Sequence, residues 1–374
     1  MIIKNVNIYT EDKKFKKGEI FIENGKFSST SSNCDEVIDG EDCYAIPGLI
    51  DIHFHGCMGY DFCDGTEKAI EEIAKYQASI GVTSICPATM TIETEKLKNI
   101  MSIVGRYKSN LGSKLVGINM EGPFINSEKK GAQNSKYIRN CSIEMYREMQ
   151  NLSNNLIKLV DLAPEMEGAF EFIEKLKDEV SISIAHTCAD YETASLAFEK
   201  GANHVTHIYN AMPPYSHREP SVIGASFDNK NVYIELICDG VHIHPSVVRG
   251  AFAMFSDDRI VLISDSMRAT GLSDGDYSLG GQAVTVKGNL ANLTGSNVIA
   301  GSVTNLMDCL RTAVTKMNIP LESAIACATI NPAKSIGVYD KCGSITASKD
   351  GDLVLLNKDL SIKAVYIKGK KFNI

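Results

Sequence analysis

The chain runs to 374 residues without one apolar run long enough to cross a membrane. Its opening stretch, MIIKNVNIYTEDKK, has no signal-peptide apolar region, so the sequence predicts a cytoplasmic protein with no membrane partner. Basic residues are thin as well. Against 46 Asp and Glu there are 38 Lys and Arg, the net charge is −8, and no Lys/Arg block suggests a nucleic-acid footprint. An anionic ligand would have to be held by local groups, and Lys129-Lys130 and His217-Arg218 are the short basic clusters at hand. The eleven cysteines are odd in number and form no CxxC pair or compact spacing. That pattern speaks for buried thiols in a reducing compartment. No internal repeat or low-complexity tract interrupts the chain. Histidine is scarce too: only eight occur, yet two of them, His53 and His55, stand two apart in AIPGLIDIHFHG.

Both ends of the chain read as β-structure. Asn24-Gly25 in GEIFIENGKF is a two-residue hairpin signal, and GDLVLLNKDLSIKAVYIKGKKF gives strands with a turn at Gly369. The expected organisation is a small β-sandwich domain built from 1–47 and 343–374, with 48–342 inserted between its halves. The insert has another rhythm. Short apolar runs begin at Leu49, Val82, Leu115, Leu156, Val180, Asn203, Val232 and Arg259. Amphipathic stretches such as EKAIEEIAKYQASIG, GAFEFIEKLKDE and ADYETASLAFEKG separate several of them. Strand then helix, eight times over, is the pattern of an α/β fold of the (β/α)8 TIM-like barrel type. DGDYSLGGQAVTVKGNLANL reads as a hairpin insertion after the eighth run, and 302–335 as a long helical pattern.

In such barrels the chemistry sits at the C-terminal ends of the strands. His53 and His55 follow the first run, Glu121 the third and His186 the fifth. His207 closes the sixth, Asp239 and His242 follow the seventh, and Asp265 the eighth. Five of the eight histidines, His53, His55, His186, His207 and His242, fall at or just after predicted strand ends. Singly, each would pass as a hydrogen-bonded structural residue or a helix cap. Together they converge on one rim, and a His/Glu/Asp cluster there is a metal site by ligand chemistry. Positions i and i+2 of a strand share a face, so His53 and His55 are expected to point together toward the barrel axis. His204, three before His207, is expected on the opposite face and in a structural role. Asp239 reads as a loop-capping or supporting residue, Lys129 and Lys130 as surface charges, and Cys57 and Cys63 as packing. His217 and His244 stay outside the core site.

These motifs resemble the amidohydrolase superfamily. PGLIDIHFHG carries that resemblance, and NMEGPFINSEKKGAQN, HVTHIYNAMPPYSHREP, ICDGVHIHP, VLISDSMRATGL and IAGSVTNL narrow it to the N-acetylglucosamine-6-phosphate deacetylase family along essentially the whole chain. The resemblance implies a barrel with a small β-sandwich domain, usually in a homodimer. It implies that Glu121, His186 and His207 hold a main divalent ion and that His53 and His55 hold a second one, bridged by Glu121. The count would then be one or two ions per subunit, zinc or iron first, manganese or cobalt next. Asp265 matches the catalytic acid/base and His242 the residue beside the acetamide carbonyl. Asn210, the backbone of Ala211, and Arg218 match contacts to the phosphate, with Arg218 supplied across the dimer interface in some arrangements. The IAGS segment matches a loop beside the sugar, leading to Met307. Gln133 stands where related chains often carry a sugar-lining histidine; glutamine still hydrogen-bonds but carries no charge.

The reaction so implied is amide hydrolysis of a sugar phosphate. Asp265 would take a proton from an activated water and return it to the departing nitrogen, while His242 stabilises the oxyanion. Two enzymatic alternatives stand beside it, a deacetylase for the galactosamine isomer and a cyclic-amide hydrolase. A barrel that has lost catalysis and serves in assembly is the non-enzymatic one, and the full set of ligand-type residues speaks against it.

Overall fold

The computed structural model describes residues 1–30, 36–109 and 111–373. Both chain ends meet in one eight-stranded sheet. Its path runs Lys370–Phe372, Ile362–Ile367, Leu353–Leu356, Tyr44–Pro47, Ile2–Tyr9, Phe15–Glu23 and Lys26–Ser28, with Val37–Asp39 pairing beside Ile2–Tyr9. The two hairpins at its ends have the turns their sequences predict. Asn24 and Gly25 take φ of 51° and 77° between the paired Glu23 and Lys26. Lys368 and Gly369 take 47° and 71° between Ile367 and Lys370. Two successive left-handed residues give the type of turn whose twist matches the flanking strands.

The remainder is a ring of parallel strands: β1 (Leu49–Asp51), β2 (Val82–Ile85), β3 (Ile118–Glu121), β4 (Ile157–Leu162), β5 (Ser181–Ile184), β6 (His204–Val205), β7 (Tyr233–Ile237) and β8 (Ile260–Ile263). β1 pairs with β2, and β3 through β8 pair in succession, all parallel. β2 meets the third position twice. It pairs with the short strand Lys114–Leu115, and just beyond it Ala88 bridges to Asn119. The ring closes beyond the strand ends, where the Asp265 N–H donates to the His53 carbonyl at 3.0 Å and the His55 N–H to the Ser266 carbonyl at 2.7 Å. Ile50, Ile52, Cys86, Leu159, Ile237, Val261 and Ile263 pack together with Ala333, Ile336 and Val338.

The helices expected from the amphipathic stretches form where their caps allow. α1 (Glu67–Ser79) starts at Thr66, whose side chain accepts from the Ala69 N–H. The helix Tyr191–Lys200 starts at Asp190, which accepts from the Thr193 N–H, and stops at Gly201 with φ of 126°. The insertion after β8 is a three-stranded meander, Gly275–Leu279, Gln282–Lys287 and Leu290–Leu293. The helical pattern over 302–335 breaks into Leu306–Thr315, Leu321–Ala328 and Ile330–Ser335. Pro320, which has no N–H to continue the first helix, occupies the cap before the second, and Thr329 at φ −135° separates the second from the third. No helix among the described residues is long and apolar enough to cross a membrane.

Candidate metal centre

Each residue at the ring's rim is delivered by a strand that has just ended. β1 stops at Asp51, so His53 and His55 lie in the segment beyond it, with ring centroids 5.6 Å apart and planes nearly perpendicular. β3 ends on Glu121 itself. His186, His207 and Asp265 come within three residues of the ends of β5, β6 and β8, and all three take left-handed φ, of 43°, 28° and 50°. For residues with a Cβ this conformation is uncommon and costs about 1–3 kcal/mol each, so the surrounding fold must hold it. It also turns the side chain off the strand's alternation. His204 and His207 are therefore not on opposite faces as strand parity predicts. Both turn inward, with His204 fully buried, its Nδ1 3.2 Å from the Ser183 hydroxyl, and no metal-type contact of its own.

Glu121 is the hub. Its Oε1 lies 3.0 Å from His186 Nε2, 3.4 Å from His207 Nε2 and 3.6 Å from His53 Nε2, while Oε2 lies 3.5 Å from His55 Nε2. Two ligand-type groups share it, His53–His55–Glu121 and Glu121–His186–His207. Asp265 Oδ1 sits 3.3 Å from His55 Nε2 and 3.9 Å from His53 Nε2.

The fit to metal ions rests on where the protons are. The Lys129 carbonyl can only accept, so at 2.8 Å the His186 Nδ1 must donate, which leaves its Nε2 turned inward as the ligand-type atom. His53 Nδ1 likewise faces the Glu235 carboxylate at 2.9 Å, and its Nε2 is buried without a hydrogen-bond partner. His186 and His207 turn their Nε2 atoms on each other at 3.2 Å. Facing nitrogens and an orphaned buried one are what a bound cation would satisfy. Charge points the same way. Burial pushes His53 down, but the Glu235 and Glu121 carboxylates more than offset this and hold it well above its ordinary value. Positive charge is thus favoured at that point. Burial holds His207 low, which leaves the neutral imidazole a ligand requires. Burial acts upward on Asp265, yet His55, His53 and His242 draw its carboxyl below the usual range, so it is ionised and able to accept a proton.

A cavity of about 580 Å³ opens above this floor. Its lining includes Gln133, Asn210, Ala211, His242, Ile299 and Gly301. Lys129 and Lys130, expected as plain surface charges, also line it, half-buried after a 3₁₀ turn over Ser127–Lys129. Met307 is not brought to it. It lies in Leu306–Thr315, fully buried, with its Cε toward Gly81 and the terminal sheet. The segment expected beside the sugar reaches the cavity at Gly301, and the helix that follows carries Met307 away from it. Arg218 is exposed and lines a separate cavity of about 460 Å³ with Cys188, Asp190 and Glu219. His217 is exposed, His244 caps the helix Pro245–Phe255, and burial pushes the Cys57 and Cys63 thiols up into the neutral form that packing expects.

Two supporting carboxylates carry more than the sequence reading gave them. Glu235 is wholly buried in β7; its Oε2 accepts from the His207 N–H at 3.1 Å as well as from His53. Its signal was present as one acid inside the apolar run VYIELIC. Asp239 accepts the Val241 and His242 N–H groups on Oδ1, at 2.8 and 2.9 Å, and the His242 Nδ1–H on Oδ2 at 2.7 Å.

The sequence profile described as Amidohydrolase family matches residues 44–372. The chain is 37% identical to N-acetylglucosamine-6-phosphate deacetylase of Bacillus subtilis (strain 168), covering 99% of this chain and 96% of the relative. It is 32% identical to N-acetylgalactosamine-6-phosphate deacetylase of Escherichia coli O157:H7, over 87% and 86% of the two chains. Among solved structures, a mutant N-acetyl-D-glucosamine-6-phosphate deacetylase from Mycobacterium smegmatis, in complex with N-acetyl-D-glucosamine-6-phosphate, superposes with a TM-score of 0.92. There the identity is 27%, with 100% of this chain and 99% of that one covered.

Proposed function

From a chain that belongs to the amidohydrolase family, and within it to the N-acetylglucosamine-6-phosphate deacetylases, we infer the part each residue plays. The protein is a hydrolase that converts N-acetyl-D-glucosamine 6-phosphate to D-glucosamine 6-phosphate and acetate, in amino-sugar catabolism. Its fold is the TIM-like barrel of that superfamily with a β-sandwich-like sheet from both termini. We assign 48–342 to the catalytic domain and 1–47 with 343–374 to the smaller one.

The observation that carries the assignment is the sharing of one buried carboxylate, Glu121, by two histidine pairs beneath the cavity. We assign Glu121, His186 and His207 to one divalent ion and His53, His55 and Glu121 to a second, with zinc or iron the ions best suited to imidazole and carboxylate. A bound ion of this kind acidifies water to a pKa of about 7 and polarises a carbonyl. The chain's own residues do the rest. Asp265, ionised and directed at the same floor, takes the proton from the attacking water. It then returns that proton to the amide nitrogen as the C–N bond breaks, so acetate and a free amine leave. His242 is held above its ordinary value because Asp239 more than offsets the effect of burial, and it donates from Nε2 to the developing oxyanion.

The phosphate would lie at the far end of the cavity, against Asn210 and the backbone at Ala211. Asn210 is already oriented by bonds from its Nδ2 to the His207 and Ile208 carbonyls. No arginine among the described residues of the same chain lines this cavity. Beside the Arg218 loop, Tyr209, Tyr215, Ile223, Val247 and Met254 line an apolar hollow of about 370 Å³, with Tyr215 and Val247 exposed. We assign that face to a homodimer in which Arg218 reaches the partner's phosphate site, where its planar fork suits a dianion. The ten cysteines among the described residues are all unpaired, which supports a cytoplasmic setting.

The test is acetate release from N-acetylglucosamine 6-phosphate compared with the same sugar lacking its phosphate. Turnover of the phosphorylated sugar alone is expected. Equal turnover of both would remove the assignment of Asn210, Ala211 and Arg218, and no turnover by metal-loaded protein would remove the catalytic reading.

A further inference from the structure

Gln133 lines the cavity wall, but its amide is already committed. It is 2% exposed. Its Oε1 accepts the Thr91 main-chain N–H at 2.6 Å, and its Nε2 donates to Glu121 Oε2 at 2.7 Å. A main-chain N–H can only donate, so the amide has one possible orientation, oxygen to Thr91 and nitrogen to Glu121. Of the four hydrogen-bonding positions an amide offers, one N–H and one lone pair remain, and little surface is left to present them.

The oxygen that Gln133 holds is the one turned toward His55, at 3.5 Å. Its twin, Oε1, faces His186, His207 and His53. Gln133 therefore acts on one arm of the shared carboxylate. We propose that Gln133 is a positioning residue for Glu121, setting ion affinity on the His55 side of the centre, and that it is not a reader of the sugar. The amide N–H fixes the carboxylate's rotation, so that Oε2 is aimed before an ion arrives. Without it the carboxylate turns about its last bond, and an ion must order it on binding. Thr91 is the anchor that makes the amide rigid enough for this.

The proposal rests on the two-ion reading above, and the experiment separates the two. Chelated protein is titrated with Co²⁺ alone, following the visible d–d bands and the heat of binding. Wild type is expected to take two equivalents. Gln133→Leu is expected to lose affinity for one equivalent by about 10- to 100-fold and to keep the other within about threefold. At saturating Co²⁺ its KM for the sugar phosphate is expected to stay within about threefold of wild type. A raised KM with both Co²⁺ affinities intact would make Gln133 a sugar contact and overturn the proposal. Equal loss at both equivalents would overturn its one-sidedness, and a single equivalent in wild type would remove the ion it acts on. Wild type that takes up no Co²⁺ refutes the metal centre itself. If Gln133→Leu does not fold, Gln133→Asn, one methylene too short to span Thr91 and Glu121, serves for the same comparison.

Discussion

Replacing Asp239 by Asn changes one atom and moves a proton. In the wild type Oδ1 is fixed by two main-chain N–H groups, and Oδ2 receives the His242 Nδ1–H at 2.7 Å. Burial pushes Asp239 up, but His242 and the two amides bring it below the usual carboxylate range, so the acceptor is charged. His242 is raised in turn. It is therefore an imidazolium below its elevated pKa, and that charge is lost as pH rises through it. In Asp239→Asn the side-chain oxygen must stay on the two main-chain donors, which leaves the NH₂ facing His242 Nδ1. The ring must then accept at Nδ1 and carry its single proton on Nε2. The donor proposed for the oxyanion survives, but its charge does not. A hydrogen bond from a charged donor is worth about 1.5–3 kcal/mol and a neutral one about 0.5–1.5, a difference of about 1.3 kcal/mol. That is roughly tenfold in kcat. The variant should also lose the alkaline fall in kcat that belongs to His242, because a neutral donor does not titrate there. The assay is acetate release from about pH 6 to about pH 10 with metal content measured in parallel. An unchanged alkaline limb would refute the argument, and so would a loss of a thousandfold, which would mean that Asp239 itself touches the reacting atoms.

Asp265→Asn should lower kcat by about 10²- to 10⁴-fold while metal content by elemental analysis stays near wild type; sizeable residual turnover would assign the proton transfers elsewhere. Glu235→Gln leaves His53 Nδ1 without its carboxylate and should weaken ion binding by about 10- to 100-fold, read by dialysis against metal buffers. Mixing Arg218→Ala with Asp265→Asn tests the interface: if Arg218 acts across it, half the dimers regain one intact site, and about a quarter of wild-type turnover should return. No recovery from mixed dimers would return Arg218 to its own chain or to the solvent.

What the sequence disclosed depended on whether side-chain identity or backbone shape carried the information. The strand-end histidines, Glu121 and Asp265 were legible because each follows an apolar run of strand length. Asn24-Gly25 was legible because few dipeptides favour that turn. Strand parity fails at His207, where left-handed φ resets which way a side chain points. In the helical pattern before Ser335, Pro320 marked the first break, and the second, at Thr329, was hidden because the stretch stays buried across it. The support under His186 was invisible, since it is the main-chain carbonyl of Lys129 and any residue has one. Glu235 lay in plain view as a charge within an apolar run, and only the ring's interior explains why it is tolerated.

The seam between His53 and Asp265 has a consequence for how the protein is made. The final hydrogen bonds of the ring are contributed by the backbone of residues that also line the reactive floor. Glu121, His186 and His207 come from β3 to β6, a contiguous run that needs no first strand to assemble. His53 and His55 take their places only when the chain's early segment is brought against one more than two hundred residues later. Such long-range closures are slow because loop entropy is lost before any contact rewards it. The two halves of the centre are therefore expected to mature at different times, the Glu121–His186–His207 half first and the His53–His55 half on closure of the ring; uptake of both ions in a single phase during refolding would refute this.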